Sequence, residues 1–226
     1  MPLTQLEQAG LARIDPDELA RLVPPSVAIR DRFNTLNPLL IEKVSQKYWS
    51  SQGSLAHRTT ITNTFDREIL ISYARHGFFI DLVSRYVGTK PHIRYISAWL
   101  DYPTSADGPV TTQLFHRDPP HLKQIKTFLY LNDVTDLNGS FSYVEGSHID
   151  ITRCLPQFRH SDEEVAQLYP DAVTTNVTGL AGSLVIADVN GFHRGLKPTR
   201  GYRALLTVFY SGDHTASGDL ESPVIE

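Results

Sequence analysis

Apolar positions recur every three or four residues through about the first 90 positions, and the rhythm then shortens to that of strands. Asp15-Pro16-Asp17-Glu18 joins a capping residue, a proline suited to a first turn and acids at the positive end of a helix. It predicts a short helix that stops before Pro24-Pro25. Asn37-Pro38 repeats the signal, with Leu40, Val44 and Tyr48 at helical spacing. Asp66 opens a third helix that carries Ile69, Leu70, Tyr73 and Ala74 and ends at Gly77. Phe79, Ile80, Val83 and Val87 lie on a fourth, ended by Gly88. Such stripes are the faces that helices pack on a sheet.

After Lys90-Pro91 the pattern is that of short strands. The expected strands are Ile93 to Leu100, Thr111 to His116, Ile125 to Leu131, Phe141 to Val144, Val173 to Val177, Ser183 to Val189 and Arg203 to Tyr210. Asp101-Tyr102-Pro103 and the turn around Asp136-Leu137-Asn138-Gly139 separate some of them, and a polar helical excursion is expected over Asp162 to Leu168. From Gly212 the tail is polar and is expected to fray. The set predicts a mostly β fold with flanking helices, a jelly roll. One domain over 1–226 is expected: a helical part to about 90, a jelly-roll core over about 91–211 and the tail.

Composition narrows the function. A net charge of −4 offers no basic stripe for nucleic acid. No apolar run approaches the roughly 20 residues of a membrane helix. The N-terminal residues lack the basic and apolar regions of a signal peptide. A single cysteine, Cys154, rules out an intramolecular disulfide and a multi-cysteine metal site. A cytoplasmic protein with a small-molecule substrate, and no nucleic-acid or membrane partner, is the expectation.

The chemistry gathers at Phe115-His116-Arg117-Asp118-Pro119. Residues two apart on a strand share a face, so His116 and Asp118 place an imidazole beside a carboxylate at a sheet rim. Two histidines and one carboxylate make the facial triad of non-haem Fe(II), which leaves coordination positions open. His193, just beyond the apolar strand Leu184-Val185-Ile186-Ala187, is the candidate for the second imidazole. A guanidinium binds a carboxylate bidentately, as a 2-oxo dicarboxylic acid cosubstrate requires; Arg200 competes for this role, and Arg203 is preferred because it directly begins the next apolar strand, which can fix its position.

Several segments, in order, resemble the phytanoyl-CoA dioxygenase-like branch of the Fe(II)/2-oxoglutarate-dependent oxygenases. They are Phe115 to Asp118, Lys126 to Val134, Asn138 to His148, Gly182 to Ile186, His193 to Gly195, and Thr199 to Arg203. The resemblance covers roughly the C-terminal half. It implies a double-stranded β-helix with iron held by His116, Asp118 and His193, 2-oxoglutarate anchored by Arg203, and O2 as co-reactant. It implies oxidation, most simply hydroxylation, of a small metabolite or natural-product intermediate. Asp118 argues against halogenating relatives, which give up the carboxylate.

Relatives often carry serine two places after the distal histidine, where this chain has Gly195. Lys126 or Tyr130 is then the candidate for a second cosubstrate contact, because Lys126, Phe128 and Tyr130 alternate onto one face. Gln113, three before His116 and so on the opposite face unless the strand bulges, is only a weak candidate to support the metal ligands from behind, and Arg117, His121 and Lys123 form a candidate basic rim for an anionic substrate. His148 and Cys154 read as structural or incidental. Two rival readings remain: a catalytically silent jelly-roll binding protein, and a zinc hydrolase using the same three ligands.

Overall fold

The computed structural model describes residues 2–36, 58–103, 108–109, 111–118, 123–150, 158–212 and 224–225. The described helices are α1 (Pro2–Ala9), α2 (Pro16–Leu22), α3 (Pro25–Asn34), α4 (Arg67–Ala74), α5 (Gly77–Val87) and α6 (Asp162–Leu168). The strands are β1 (Leu11–Ile14), β2 (Arg58–Thr60), β3 (His92–Asp101), β4 (Gln124–Tyr130), β5 (Phe141–Val144), β6 (Thr174–Val177), β7 (Leu184–Asp188), β8 (His193–Gly195), β9 (Arg203–Ser211) and β10 (Val224–Ile225).

Two sheets face each other in a jelly roll. The larger runs β1-β7-β4-β9-β3-β10, with β2 also paired to β3; the smaller runs β6-β5-β8. All named pairings are antiparallel except that of β10, which lies parallel to β3.

Strand alternation sorts the side chains of the larger sheet into two cores. Leu184, Ile186, Leu206, Val208, Ile125 and Leu129 point outward, onto Leu6, Leu19, Ile29, Leu70, Tyr73 and Phe79 of the helices. Val185, Ala187, Leu205, Phe128 and Trp99 point inward, toward Phe141, Tyr143 and Val177 of the smaller sheet. A sheet covered on both faces reads as a continuous apolar run, which is why these strands were plain in the sequence. Each fully buried Leu, Ile or Phe contributes roughly 1.5–3 kcal/mol relative to exposure.

Local signals account for several boundaries. Asp66 accepts hydrogen bonds from the amides of Glu68 and Ile69 and starts α4. Gly88, at φ +81°, closes α5 in the left-handed region. α6 has a capping box: Ser161 Oγ accepts from the Glu164 amide, and Glu164 Oε2 accepts from the Ser161 amide.

Other expectations need correction. Gly77 does not end a helix; it is the first residue of α5, after α4 has stopped at Ala74. Thr111 to His116 is not a strand. Thr111–Gln113 is a 3-10 turn with Thr111 at φ 49°, followed by single bridges from Phe115 to His160 and from His116 to His193. The tail is not wholly irregular, since Val224 and Ile225 pair with Tyr95 and Ile96. α1, α3, β1 and β2 carry no signal that the pattern alone revealed. The helix expected after Asn37-Pro38 lies outside the described residues, as do His121 and Cys154.

Candidate metal centre and its cavity

His116 and His193 are direct partners in an isolated antiparallel bridge at the edge of the smaller sheet. Each donates its backbone amide to the other's carbonyl, both at 3.0 Å. Asp118 is fixed in turn by its amide, which donates to the Val189 carbonyl at 3.0 Å. These backbone bonds carry the three side chains to one corner. One donor atom from each of His116, Asp118 and His193 falls within a set whose members all lie within 4.8 Å of one another.

Both imidazoles are oriented in the same way. His116 Nδ1 lies 2.8 Å from the Leu114 carbonyl, and His193 Nδ1 lies 2.9 Å from the Gly191 carbonyl. A carbonyl only accepts, so each Nδ1 carries the proton and each Nε2 keeps its lone pair. The His193 ring is stacked on Phe141, centroids 5.7 Å apart. Burial, then the neighbouring His193, hold His116 down at about 3, and burial lowers His193 against the opposing pull of Asp118. Both rings are therefore neutral near pH 7, the form in which imidazole ligates metal.

Asp118 divides its two oxygens. Oδ1 lies 4.0 Å from His193 Nε2, and Oδ2 lies 2.5 Å from Lys126 Nζ. This is a close ion pair between the Lys126 ammonium and the Asp118 carboxylate. Burial raises the Asp118 carboxyl, and Lys126 and His193 more than reverse it, leaving it below the usual range. The ammonium also sits over the rings of Phe209 and Tyr95, at 5.1 and 5.4 Å from their centroids.

A cavity of about 90 Å³ lies beside this corner and opens to solvent. Its walls include His116, Asp118, His193, Lys126, Phe128, Phe141, Gly195 and Leu205. Arg203 also lines it, 4% exposed, as the inward parity it shares with Leu205 dictates. Its Nη2 donates to Asp101 Oδ2 at 2.5 Å, its Nη1 donates to the Gly139 carbonyl, and its buried Nε has no partner. Arg58, Tyr95 and Trp99 complete this wall, and Asp101 stands behind it.

The candidates for a second cosubstrate contact separate. Lys126 lines the cavity, but its charge is engaged with Asp118. Tyr130 shares its face, as alternation required, yet lies deeper. Its hydroxyl donates to the Val177 carbonyl at 2.7 Å, and it is not a cavity wall. Gln113 is buried and is not a wall either.

Of the expected basic rim, the two described members, Arg117 and Lys123, are both engaged within the protein. Arg117 turns inward, stacks on Phe192 at 4.4 Å and donates to the Ser147 and Asp150 carbonyls and the Tyr169 hydroxyl. Lys123 donates to the Tyr86 carbonyl. His148 is partly buried and hydrogen-bonds to the Glu7 backbone, a structural role. Arg58, Asp101 and Trp99 escaped the sequence reading. Asp101 was legible only as a strand stop, and Arg58 sits in a stretch without a motif.

No family model matches the chain, and no curated protein matches it in sequence. Solved structures do. AviO1 from Streptomyces viridochromogenes is 21% identical with a TM-score of 0.55, and the match covers 96% of each chain. SnoN, a non-haem alpha-ketoglutarate dependent epimerase from nogalamycin biosynthesis, is 13% identical with a TM-score of 0.62 over 93% of this chain and 81% of its own. HygX from Streptomyces hygroscopicus, crystallised with nickel and 2-oxoglutarate, is 15% identical with a TM-score of 0.57 over 94% and 87%. This chain has their fold.

Proposed function

We propose that the protein is an Fe(II)- and 2-oxoglutarate-dependent oxygenase of the phytanoyl-CoA dioxygenase-like branch, acting on a small organic molecule. The observation that carries this reading is the donor set. Two neutral imidazoles with free Nε2 atoms and one carboxylate oxygen converge at a buried corner that opens on a cavity. Three such donors on one side suit non-haem iron and leave positions for other ligands. His116, Asp118 and His193 would hold the metal, and Arg203 would bind the far carboxylate of 2-oxoglutarate. When bound, iron and 2-oxoglutarate supply O2-dependent oxidation of a C–H bond with release of succinate and CO2.

The chain's own residues then have defined tasks. The Leu114 and Gly191 carbonyls hold the imidazole rings in the ligating tautomer. Phe128, Phe141 and Leu205 supply apolar walls that exclude water and position the reacting carbon. Among the described walls the only acid is Asp118, a ligand in this reading. Asp101 behind them is pinned by two arginines. A zinc hydrolase would need a free carboxylate to act as base, so this arrangement favours the oxygenase.

A small-molecule substrate is supported by two neighbours of the same fold. SnoN was solved with nogalamycin RO, and HygX with hygromycin B. The deciding experiment is anaerobic loading with Fe(II), followed by oxygen exposure with 2-oxoglutarate. Succinate release is expected to require both, and to vanish in His193→Ala. Succinate formation independent of added iron would refute the proposal.

A further inference from the structure

We propose that Arg58 is a second cation for the far carboxylate of 2-oxoglutarate, forming with Arg203 a two-guanidinium clamp across Asp101. The inference rests on the oxygenase reading and extends it to a residue outside the triad and its arginine.

The register of the larger sheet creates the cluster. β2 and β9 flank β3, and Asp101 is the direct cross-strand partner of Arg58 on one side and of Arg203 on the other. Directly opposed residues share a face, with Cβ atoms about 5 Å apart. All three side chains therefore fall on the face toward the cavity. Asp101 Oδ1 accepts from Arg58 Nε at 2.7 Å; Oδ2 accepts from Arg58 Nη2 at 3.2 Å and from Arg203 Nη2 at 2.5 Å. Arg58 is further immobilised over the Trp99 ring, 4.2 Å from its centroid.

Charge and donor capacity both remain in surplus. Among the described residues, two guanidinium groups face one carboxylate, which leaves one positive charge at this end of the cavity. At the other end Lys126 and Asp118 balance each other. Arg203 Nε is buried without an acceptor, and Arg58 Nη1 donates to no described residue. A buried donor left without an acceptor, such as Arg203 Nε, favours a ligand or water that fills the place. The missing partner is a single anion with two acceptor oxygens, which is a carboxylate. Arg58 is about one-third exposed, with 32% of its side chain accessible, so it can meet a ligand without rearranging the core.

The clamp predicts a preference that a structural arginine would not create. Fe(II)-loaded protein is titrated anaerobically with 2-oxoglutarate and with 2-oxovalerate, which keeps the chelating 2-oxo acid end and lacks the far carboxylate. Binding is followed by the charge-transfer absorbance of the complex. Arg58→Met is expected to weaken 2-oxoglutarate tenfold or more and to leave 2-oxovalerate unchanged, with Arg58→Lys intermediate. Asp101 keeps its Arg203 partner in these variants, so the fold survives. If Arg58→Met binds 2-oxoglutarate as wild type does, or loses both ligands equally, the clamp is wrong while the oxygenase reading stands. If the wild-type protein binds neither ligand, the oxygenase reading itself falls, and the clamp with it.

Discussion

The Lys126 ammonium lies 2.5 Å from Asp118 Oδ2, on the side of the carboxylate away from His193. A metal ion at Oδ1 would face that ammonium across one carboxylate. At an effective dielectric of about 20, a dication and a cation roughly 5 Å apart repel by several kcal/mol. The hold that Lys126 gives Oδ2 recovers part of this. Lys126→Met, with a side chain that fits between Tyr95 and Phe209, is expected to bind Ni(II) or Mn(II) tenfold or more tightly than wild type in calorimetric titration of metal-free protein. Equal or weaker binding would mean that orienting the carboxylate outweighs the repulsion.

Removing a ligand has a different signature. His116 and His193 are joined through their backbones, so the bridge does not depend on either ring. His193→Ala should keep its far-ultraviolet circular dichroism and unfold cooperatively, while its metal affinity drops by at least about 100-fold, beyond the 10- to 100-fold typical of outer contacts. A variant that retains the metal would remove His193 from the ligand set.

Gly195 stands where the resemblance leads one to expect serine, and the structure supplies a reason. A Cβ at this position would collide with the Arg203 guanidinium, which cannot swing aside because Asp101 and the Gly139 carbonyl hold it. Gly195→Ser is expected to cost about 1–3 kcal/mol through overpacking. That corresponds to roughly 2–4 °C of melting temperature per kcal/mol in a chain of this size. Affinity for 2-oxoglutarate should fall as Arg203 is displaced. Wild-type stability and affinity together would show that the guanidinium has room to move.

The legible parts of this chain are those where one local rule dominates. β3, β4, β5, β7 and β9 announced themselves because both faces of the larger sheet, or the inner face of the smaller one, are buried. α6 did so through Ser161 and Glu164. Metal-ligand candidates were readable because His116 and Asp118 are near neighbours and His193 follows an obvious strand. What could not be read is register and depth. Tyr130 has the parity of Lys126, but nothing in the sequence says that it lies past the end of the cavity. Arg58 and Asp101 meet because β2 pairs with β3, a contact across 43 residues that no periodicity encodes. Thr111 to His116 has strand composition, yet tertiary demand turns its first half into a 3-10 turn and leaves only single bridges beyond.

Asp101 should make stability depend on acid in a specific window. Burial pushes its carboxyl up, and Arg58 and Arg203 overcome that, holding it well below the usual carboxylate range. In the unfolded chain the group titrates near 3.9. A folded pKa below the unfolded one means that the unfolded state takes up protons first. The contribution of Asp101 is therefore complete above about pH 4 and disappears as pH falls from there toward the folded value. Asp101→Asn leaves the buried Arg203 guanidinium and the part-exposed Arg58 without their anion, a loss of about 3 kcal/mol near neutral pH. The gap between wild type and this variant in urea unfolding is expected to stay constant from pH 5 to 8 and to narrow below pH 4, as wild type gives up what the variant never had. A gap that persists unchanged at pH 3.5 would mean that the two arginines draw their stability from Trp99 and Gly139, and not from the charge of Asp101.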